Sequence, residues 1–91
     1  MGGDVVNNIE RKRYELHADG GLAVAYYEPR GSAIAFVHTV VPERLQGRGI
    51  ASTLIKAALA DMRQRGLKVI AECPFVAAYI ERHPEERDLL A

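Results

Sequence analysis

Hydrophobic and polar residues follow two different repeats on either side of Pro42. Before it, short apolar runs with partial alternation indicate β-strands. These strand segments span residues 9–17, 22–28 and 33–41. The turn-forming sequences 19–21 and 29–32 separate them, so we expect three strands in an antiparallel meander. Residues 10–13 are all charged, which suits an edge strand that discourages pairing with other molecules.

After Pro42 the apolar spacing becomes helical. One set recurs every three or four residues and predicts a helix that ends at Gly66: Ile50, Leu54, Ile55, Ala58, Leu59 and Met62. Residues 67–71 then read as a strand that returns to the same sheet. A second helix is predicted to begin at Pro74 and to end before Pro84, with an apolar stripe that faces the core: Phe75, Val76, Tyr79 and Ile80. The chain is therefore expected to be α+β: a three-strand meander, a βαβ crossover and a C-terminal helix.

Length and composition fit one small domain. With 91 residues, the chain is expected to bury roughly 65% of its unfolded surface. Two glycines and two asparagines make residues 1–8 a predicted flexible N-terminus, which leaves 9–91 as the single domain.

The charge balance and the cysteine content limit which partners and which cellular compartment are expected. Twelve basic residues balance twelve acidic residues, so neither a nucleic acid nor an anionic membrane is expected as a partner. A single cysteine cannot form an internal disulfide, and no apolar run is long enough to span a bilayer. We therefore expect a cytoplasmic protein. His83 has no second ligand nearby in the sequence, so no metal site is expected.

A loop with two glycines, Gly47 and Gly49, joins the third predicted strand to the first helix. Because glycine has no Cβ, a phosphate group can approach the backbone there. The N–H groups of the first helical turn have no partner within the helix and point towards such a ligand. The loop is therefore predicted to bind a pyrophosphate.

Two known types of glycine loop fit this segment poorly. A Walker loop needs Lys and then Ser or Thr after its last glycine, whereas Gly49 is followed by Ile50 and Ala51. A dinucleotide-binding loop is closer, and Glu72 lies where its ribose-binding acid is expected. However, Ser52 replaces the third glycine and the chain has only one crossover unit.

The sequence from Gln46 to Ala51 resembles the Gln/Arg-x-x-Gly-x-Gly/Ala loop of the GNAT acetyltransferase superfamily, which binds the pyrophosphate of coenzyme A. The order of strands and helices around the loop agrees with that family. His38-Thr39 and residues 73–85 are similar to its small single-domain members, described as N-acetyltransferase domain-containing or YjdJ-like. This resemblance covers about the last two-thirds of the chain. Pro74 departs from it, because a small polar residue commonly follows the cysteine.

The resemblance implies a minimal GNAT-like fold and an acetyl-CoA-dependent N-acetyltransferase. The acceptor is expected to be a small-molecule or peptide amine, and a homodimer is a possible source of further walls for the acceptor site. The implied cofactor-binding residues are Val40, Val41, Gln46, Gly47, Arg48, Gly49, Ile50 and Ala51. A non-catalytic coenzyme A or acyl-CoA binding module, and an interaction domain without a nucleotide ligand, remain as alternatives.

His38 and Cys73 are the implied catalytic residues. Strand alternation predicts that His38 shares a face with Phe36, where it is either a structural histidine or a proton-transfer group. Cys73 precedes Pro74, and a helix N-terminus favours the thiolate that attacks a thioester, although Glu72 opposes this and cysteine is often simply buried. The resemblance implies that His38 acts as base, while Cys73 either takes the acetyl group or lies beside it. Tyr79 is either an acid, as in larger family members, or a packing residue.

Overall fold

The computed structural model describes residues 5–91, which form a five-stranded sheet with two α-helices. The strands are β1 (Val5–Asn8), β2 (Arg13–Ala18), β3 (Gly21–Arg30), β4 (Ala33–Val40) and β5 (Lys68–Ala71). The helices are α1 (Ile50–Arg65) and α2 (Pro74–Arg82), with short 3-10 helices at Glu43–Leu45 and Pro84–Leu89. The strand order is β1-β2-β3-β4-β5; among these five strands, β4 and β5 pair in parallel and the other neighbours are antiparallel. The expected α+β fold with its β4-α1-β5 crossover is confirmed.

The first strand segment differs from the prediction, because residues 9–12 form a turn and β2 begins at Arg13. In this turn, the N–H of Arg11 donates to the side chain of Asn8, and Lys12 has a left-handed backbone with φ +53°. Three of the four charged residues, 10–12, therefore occupy a hairpin turn rather than an edge strand, and Arg13 begins β2. β2 lies inside the sheet, between β1 and β3.

The predicted flexible N-terminus, residues 1–8, also needs correction. Residues 1–4 lie outside the described residues, but β1 pairs antiparallel with β2 from Val5 to Asn8. The asparagines that suggested a loop are used in the sheet. Asn7 accepts a hydrogen bond of 2.5 Å from the Tyr27 hydroxyl, and Asn8 donates one of 3.1 Å to Glu15. The sheet therefore contains a four-strand meander instead of the expected three-strand one.

Both helices share one hydrophobic core with one face of the sheet, which we call the core face. Tyr14, Leu16, Tyr27 and Phe36 project from this face and are almost fully buried. The predicted apolar stripe of α1 packs against them with the residues Leu54, Ile55, Ala58, Leu59 and Met62. Gly66 ends α1 in a left-handed conformation, as predicted. Within residues 5–91, no helix is both long enough and apolar enough to cross a bilayer.

The opposite side of the sheet, which we call the open face, is polar. Tyr26 and Glu28 of β3 and His38 of β4 lie on it, because strand pairing places Tyr26 opposite His38. Arg30 joins this face to the end of β5 through an ion pair with Glu72. The core therefore lies on one side of the sheet, and charged side chains occupy the other.

Replacing Tyr14 with Phe is expected to destabilise the fold by about 1–2 kcal/mol, because its buried hydroxyl donates to Asp61 at 2.5 Å. Burial, followed by the hydrogen bond to Asp61, raises the pKa of Tyr14 and keeps it a donor. Urea unfolding measures the change. Tyr26→Phe is the matched control on the open face, where Arg13 donates to the hydroxyl at 3.2 Å. Equal losses in the two variants would contradict the assignment.

Candidate functional site

The glycine loop has the backbone geometry of an anion-binding turn. Gly47 and Gly49 have φ values of +81° and +75°, a region that side chains with a Cβ rarely adopt. A Cβ added at either position would meet no atom within 4 Å. The glycines are therefore required by the backbone conformation rather than by crowding. The Gln46 side chain donates to the carbonyl of Val41 at 3.2 Å and ties the loop to the end of β4.

The N-terminus of α1 presents unpaired donors to this loop. Gly49 caps the helix, and its carbonyl accepts from the N–H of Thr53 at 3.0 Å. The N–H groups of residues 50–52 precede this first bond and have no partner within the helix. The first turn of α1, which the structure describes completely, contains no acidic residue. An anion placed here would thus meet both the free N–H groups and the positive end of the helix dipole.

A cavity of about 410 Å³ lies over this turn; we call it the cradle cavity. Most of the expected cofactor-binding residues line it: Val41, Gln46, Gly47, Gly49, Ile50 and Ala51. Val40 does not line it, because it pairs with Val24 and lies on the open face. Arg48 does not line it either, since its guanidinium forms an ion pair with Asp19 in the β2–β3 turn.

Four lining residues were not predicted: Thr39, Leu45, Ser52 and Phe75. Phe75 was expected in the core, but its side chain is 38% exposed and forms a wall of the cavity. Pro74 was the residue in the sequence that could have indicated this position of Phe75. A helix that begins at Pro74 places Phe75 in its first turn. The remaining predicted stripe of α2, Val76, Tyr79 and Ile80, is buried as expected.

β4 and β5 separate next to the cradle cavity. Their pairing ends at Phe36 and Ala71, and the last bond between the two segments runs from the N–H of Cys73 to the carbonyl of Phe36 at 2.8 Å. β4 continues to Val40 with β3 as its only strand partner in the described sheet. The separation leaves a notch whose β4 edge carries backbone groups that β5 does not pair.

Cys73 lies at this notch, at the N-terminus of α2, and is only 4% exposed. Its sulfur is 3.3 Å from the hydroxyl oxygen of Thr39. Because Thr39 also lines the cradle cavity, the cavity extends from the glycine loop towards the thiol.

His38 and Cys73, the two catalytic residues that the resemblance implied, lie on opposite sides of the sheet. The pairing of β3 with β4 shifts between Tyr26 and Tyr27, so that Val37 forms a β-bulge. Without the bulge, His38 would share the face of Phe36; with it, Thr39 takes the core-face position and His38 lies on the open face. There the His38 ring stacks on Tyr26 with a centroid distance of 6.5 Å.

Tyr79 has the surroundings of a packing residue. It is 7% exposed, does not line the cradle cavity, and stacks on His83 with ring centroids 4.0 Å apart. Burial, followed by the charges of Glu86 and Glu85, raises its pKa. His83 holds this arrangement through a contact of 2.8 Å between its ring nitrogen and the Tyr79 carbonyl.

Comparison with known proteins agrees with this geometry. The family model described as GCN5-related N-acetyl-transferase matches residues 13–89. Protein NATD1 of Mus musculus is 34% identical over 83 residues, covering 88% of this chain and 76% of that protein. Protein NATD1 of Danio rerio is 30% identical over 88 residues, covering 93% of this chain and 80% of that protein.

The solution structure of a GCN5-like protein from Staphylococcus aureus superposes with a TM-score of 0.75 at 25% identity. That match covers 97% of this chain and 87% of the other. The similarity to these proteins extends over most of the chain. In this chain it accompanies five strands, a glycine loop before α1 and a split between β4 and β5. The chain belongs to the GCN5-related N-acetyltransferase family.

Proposed function

We propose that this protein is an acetyl-CoA-dependent N-acetyltransferase that acts on a small-molecule or peptide amine. The observation that carries the proposal is the cradle cavity, because its lining includes both the glycine loop at the N-terminus of α1 and Thr39, the contact of Cys73. One ligand with a pyrophosphate at one end and a thioester at the other fits this arrangement.

The phosphate end of coenzyme A is assigned to the glycine loop. The N–H groups of Ile50, Ala51 and Ser52 are suited to phosphate oxygens, and Phe75 and Leu45 give the cavity apolar walls. Arg48 can add a charge-assisted contact if it leaves Asp19. That release costs little, because both side chains of this pair are more than half exposed.

The notch is assigned to the extended arm of coenzyme A. An arm with amide groups can pair with the β4 edge that β5 leaves unpaired, as an added strand pairs with a sheet edge. Acetyl-CoA supplies an acetyl group activated as a thioester. In this proposal His38, on the open face, accepts a proton from the acceptor ammonium, and the freed amine attacks the acetyl carbonyl through the notch. Cys73 either carries that acetyl group after displacing coenzyme A, or lies beside it during direct transfer. In both cases the bond from the carbonyl carbon to sulfur breaks and the thiol leaves.

A second candidate is a non-catalytic module that binds coenzyme A or acyl-CoA. One observation favours it: within residues 5–91, the polar side chain in contact with Cys73 is the hydroxyl of Thr39, which is a poor base, whereas His38 lies on the other face. Both candidates require the cradle cavity to bind coenzyme A. They differ in whether the protein turns over acetyl-CoA with an amine.

Titration of the ¹⁵N-labelled chain with coenzyme A tests the ligand. We expect the largest amide shifts at residues 46–52 and at Cys73, because the ligand contacts the loop and reaches the notch. The amide of Gly31, in the β3–β4 turn outside the cavity, is the internal reference. No shift at millimolar coenzyme A, or shifts spread evenly over the chain, would contradict both candidates and favour an interaction domain.

A further inference from the structure

A second cavity, of about 460 Å³, lies on the open face at the β4 bulge; we call it the open-face cavity. Arg11 and Lys12 of the β1–β2 turn line it together with Tyr26, Glu28 and His38. Val37 and His38 contact this cavity, while Thr39, the next residue of β4, lines the cradle cavity. The two cavities are therefore separated by the thickness of one strand.

Some of the charged side chains around the open-face cavity form ion pairs, and others do not. Arg13 is paired with Glu15 at 2.6 Å, and Arg30 is paired with Glu72 and, at 3.3 Å, with Glu28. Within residues 5–91, neither Arg11 nor Lys12 forms an ion pair. The turn thus places two cations without an ion-pair partner at the cavity, which the carboxylate of Glu28 also lines. Glu10, in the same turn, does not line it.

The turn that carries these cations is held in a defined conformation. The carbonyl of Lys12 accepts from the N–H of Tyr27 at 2.9 Å, and the N–H of Lys12 donates to the carbonyl of Ile9 at 3.2 Å. Lys12 keeps a left-handed backbone, φ +53°, which is unfavourable for lysine. A left-handed residue is common where a hairpin loop of this length meets its strand, so the two hydrogen bonds hold Arg11 and Lys12 in one defined turn.

We infer that the open-face cavity binds the amine acceptor, and that this acceptor also carries a carboxylate or phosphate group held by Arg11 and Lys12. The acceptor ammonium then lies near Glu28 and His38, on the far side of β4 from the cradle cavity. This inference rests on the proposed acetyltransferase function. It assigns the acceptor class from the charge of the site: an amine and an anion in one molecule match one carboxylate and two cations.

Two pairs of probes test whether the site prefers an acceptor with an anionic group. Each probe is titrated into the full chain saturated with coenzyme A. Glycylglycine is compared with glycylglycinamide for a carboxylate, and glucosamine 6-phosphate with glucosamine for a phosphate. Dissociation constants come from the amide shifts of Arg11, Lys12, Tyr26 and His38. We expect at least one probe with a carboxylate or phosphate to bind about tenfold more tightly than its partner without the anionic group.

The double variant Arg11→Gln, Lys12→Asn removes the two charges. Asparagine accepts a left-handed backbone, so the turn is expected to keep its conformation. We expect this variant to lose the roughly tenfold preference for the probe with the anionic group, and to bind the probe without it, and coenzyme A, within about twofold of the parent. The control, Arg82→Gln, Arg87→Gln, makes the same charge change at exposed residues that line neither cavity, and should keep the preference.

Equal binding of the probes with and without the anionic group, or a preference that survives in the double variant, would overturn the inference. Absence of probe binding at the open face while coenzyme A shifts residues 46–52 would also overturn it, but would leave the proposed function standing. If coenzyme A itself does not bind, the proposed function fails and this inference fails with it.

Discussion

Replacing Cys73 with alanine is expected to lower acetyl transfer by about 100-fold or more, while the dissociation constant of coenzyme A changes by less than about twofold. The thiol is buried at the notch, next to Thr39, and the cradle cavity extends towards it. Cys73 does not itself line that cavity, so its removal spares the contacts at the glycine loop. Steady-state transfer to an amine acceptor and a coenzyme A titration measure the two effects separately.

Two further variants show why Cys73 matters. Cys73→Ser keeps a polar atom near Thr39 and tests whether sulfur is required. Thr39→Val removes the hydroxyl in contact with the thiol and keeps the side chain's size. Intact mass measurement of the parent with acetyl-CoA shows whether an acetyl group is carried on Cys73 before transfer. Parental turnover in Cys73→Ala would rule out a catalytic thiol, and a parent without turnover that still binds coenzyme A would favour the binding module.

Replacing Gly49 with valine is expected to weaken coenzyme A binding by about 30-fold or more, the loss of roughly one charge-assisted hydrogen bond. Gly49 caps α1 with φ +75°, a conformation that a β-branched residue avoids. The loop must therefore change its backbone, and the N–H groups of Ile50 and Ala51 no longer converge on one point. Isothermal titration calorimetry measures the affinity.

Gly31→Val is the matched control for this prediction. Gly31 has φ +62° in the β3–β4 turn, and an added Cβ would also meet no atom within 4 Å there. Both variants are expected to lose about 1–2 kcal/mol of unfolding free energy, because in each the backbone must either hold a side chain in the left-handed region or move out of it. Only Gly49→Val should lose affinity. Similar affinity losses in the two variants would show that global destabilisation, and not the loop, is responsible.

Much of the fold could be predicted because its signals are local. Helix α1 follows from its apolar spacing, its end from Gly66, and the start of α2 from Pro74. The glycine loop was predictable for the same reason. Gly47 and Gly49 mark positions that tolerate a left-handed backbone, and the helix begins directly after them at Ile50. The charge pattern of residues 10–13 was misleading, because charged residues suit a hairpin turn as well as an edge strand.

The candidate site was predictable only in part. Most of the loop residues that line the cradle cavity were expected. Arg48 was expected to line it but pairs with Asp19 instead, and Phe75 was expected in the core but lines the cavity. Each outcome depends on a neighbour that is distant in sequence. Local spacing carries no information about such a neighbour.

The sequence by itself determined the α+β architecture, the glycine loop before α1 and the position of Cys73 at the start of α2. Only the tertiary structure decided which side chains meet. One bulge residue, Val37, reverses the alternation of β4, so Thr39 instead of His38 reaches Cys73. A bulge arises from the register between two strands, which is set by packing across the whole sheet and leaves no mark in the alternation of a single strand.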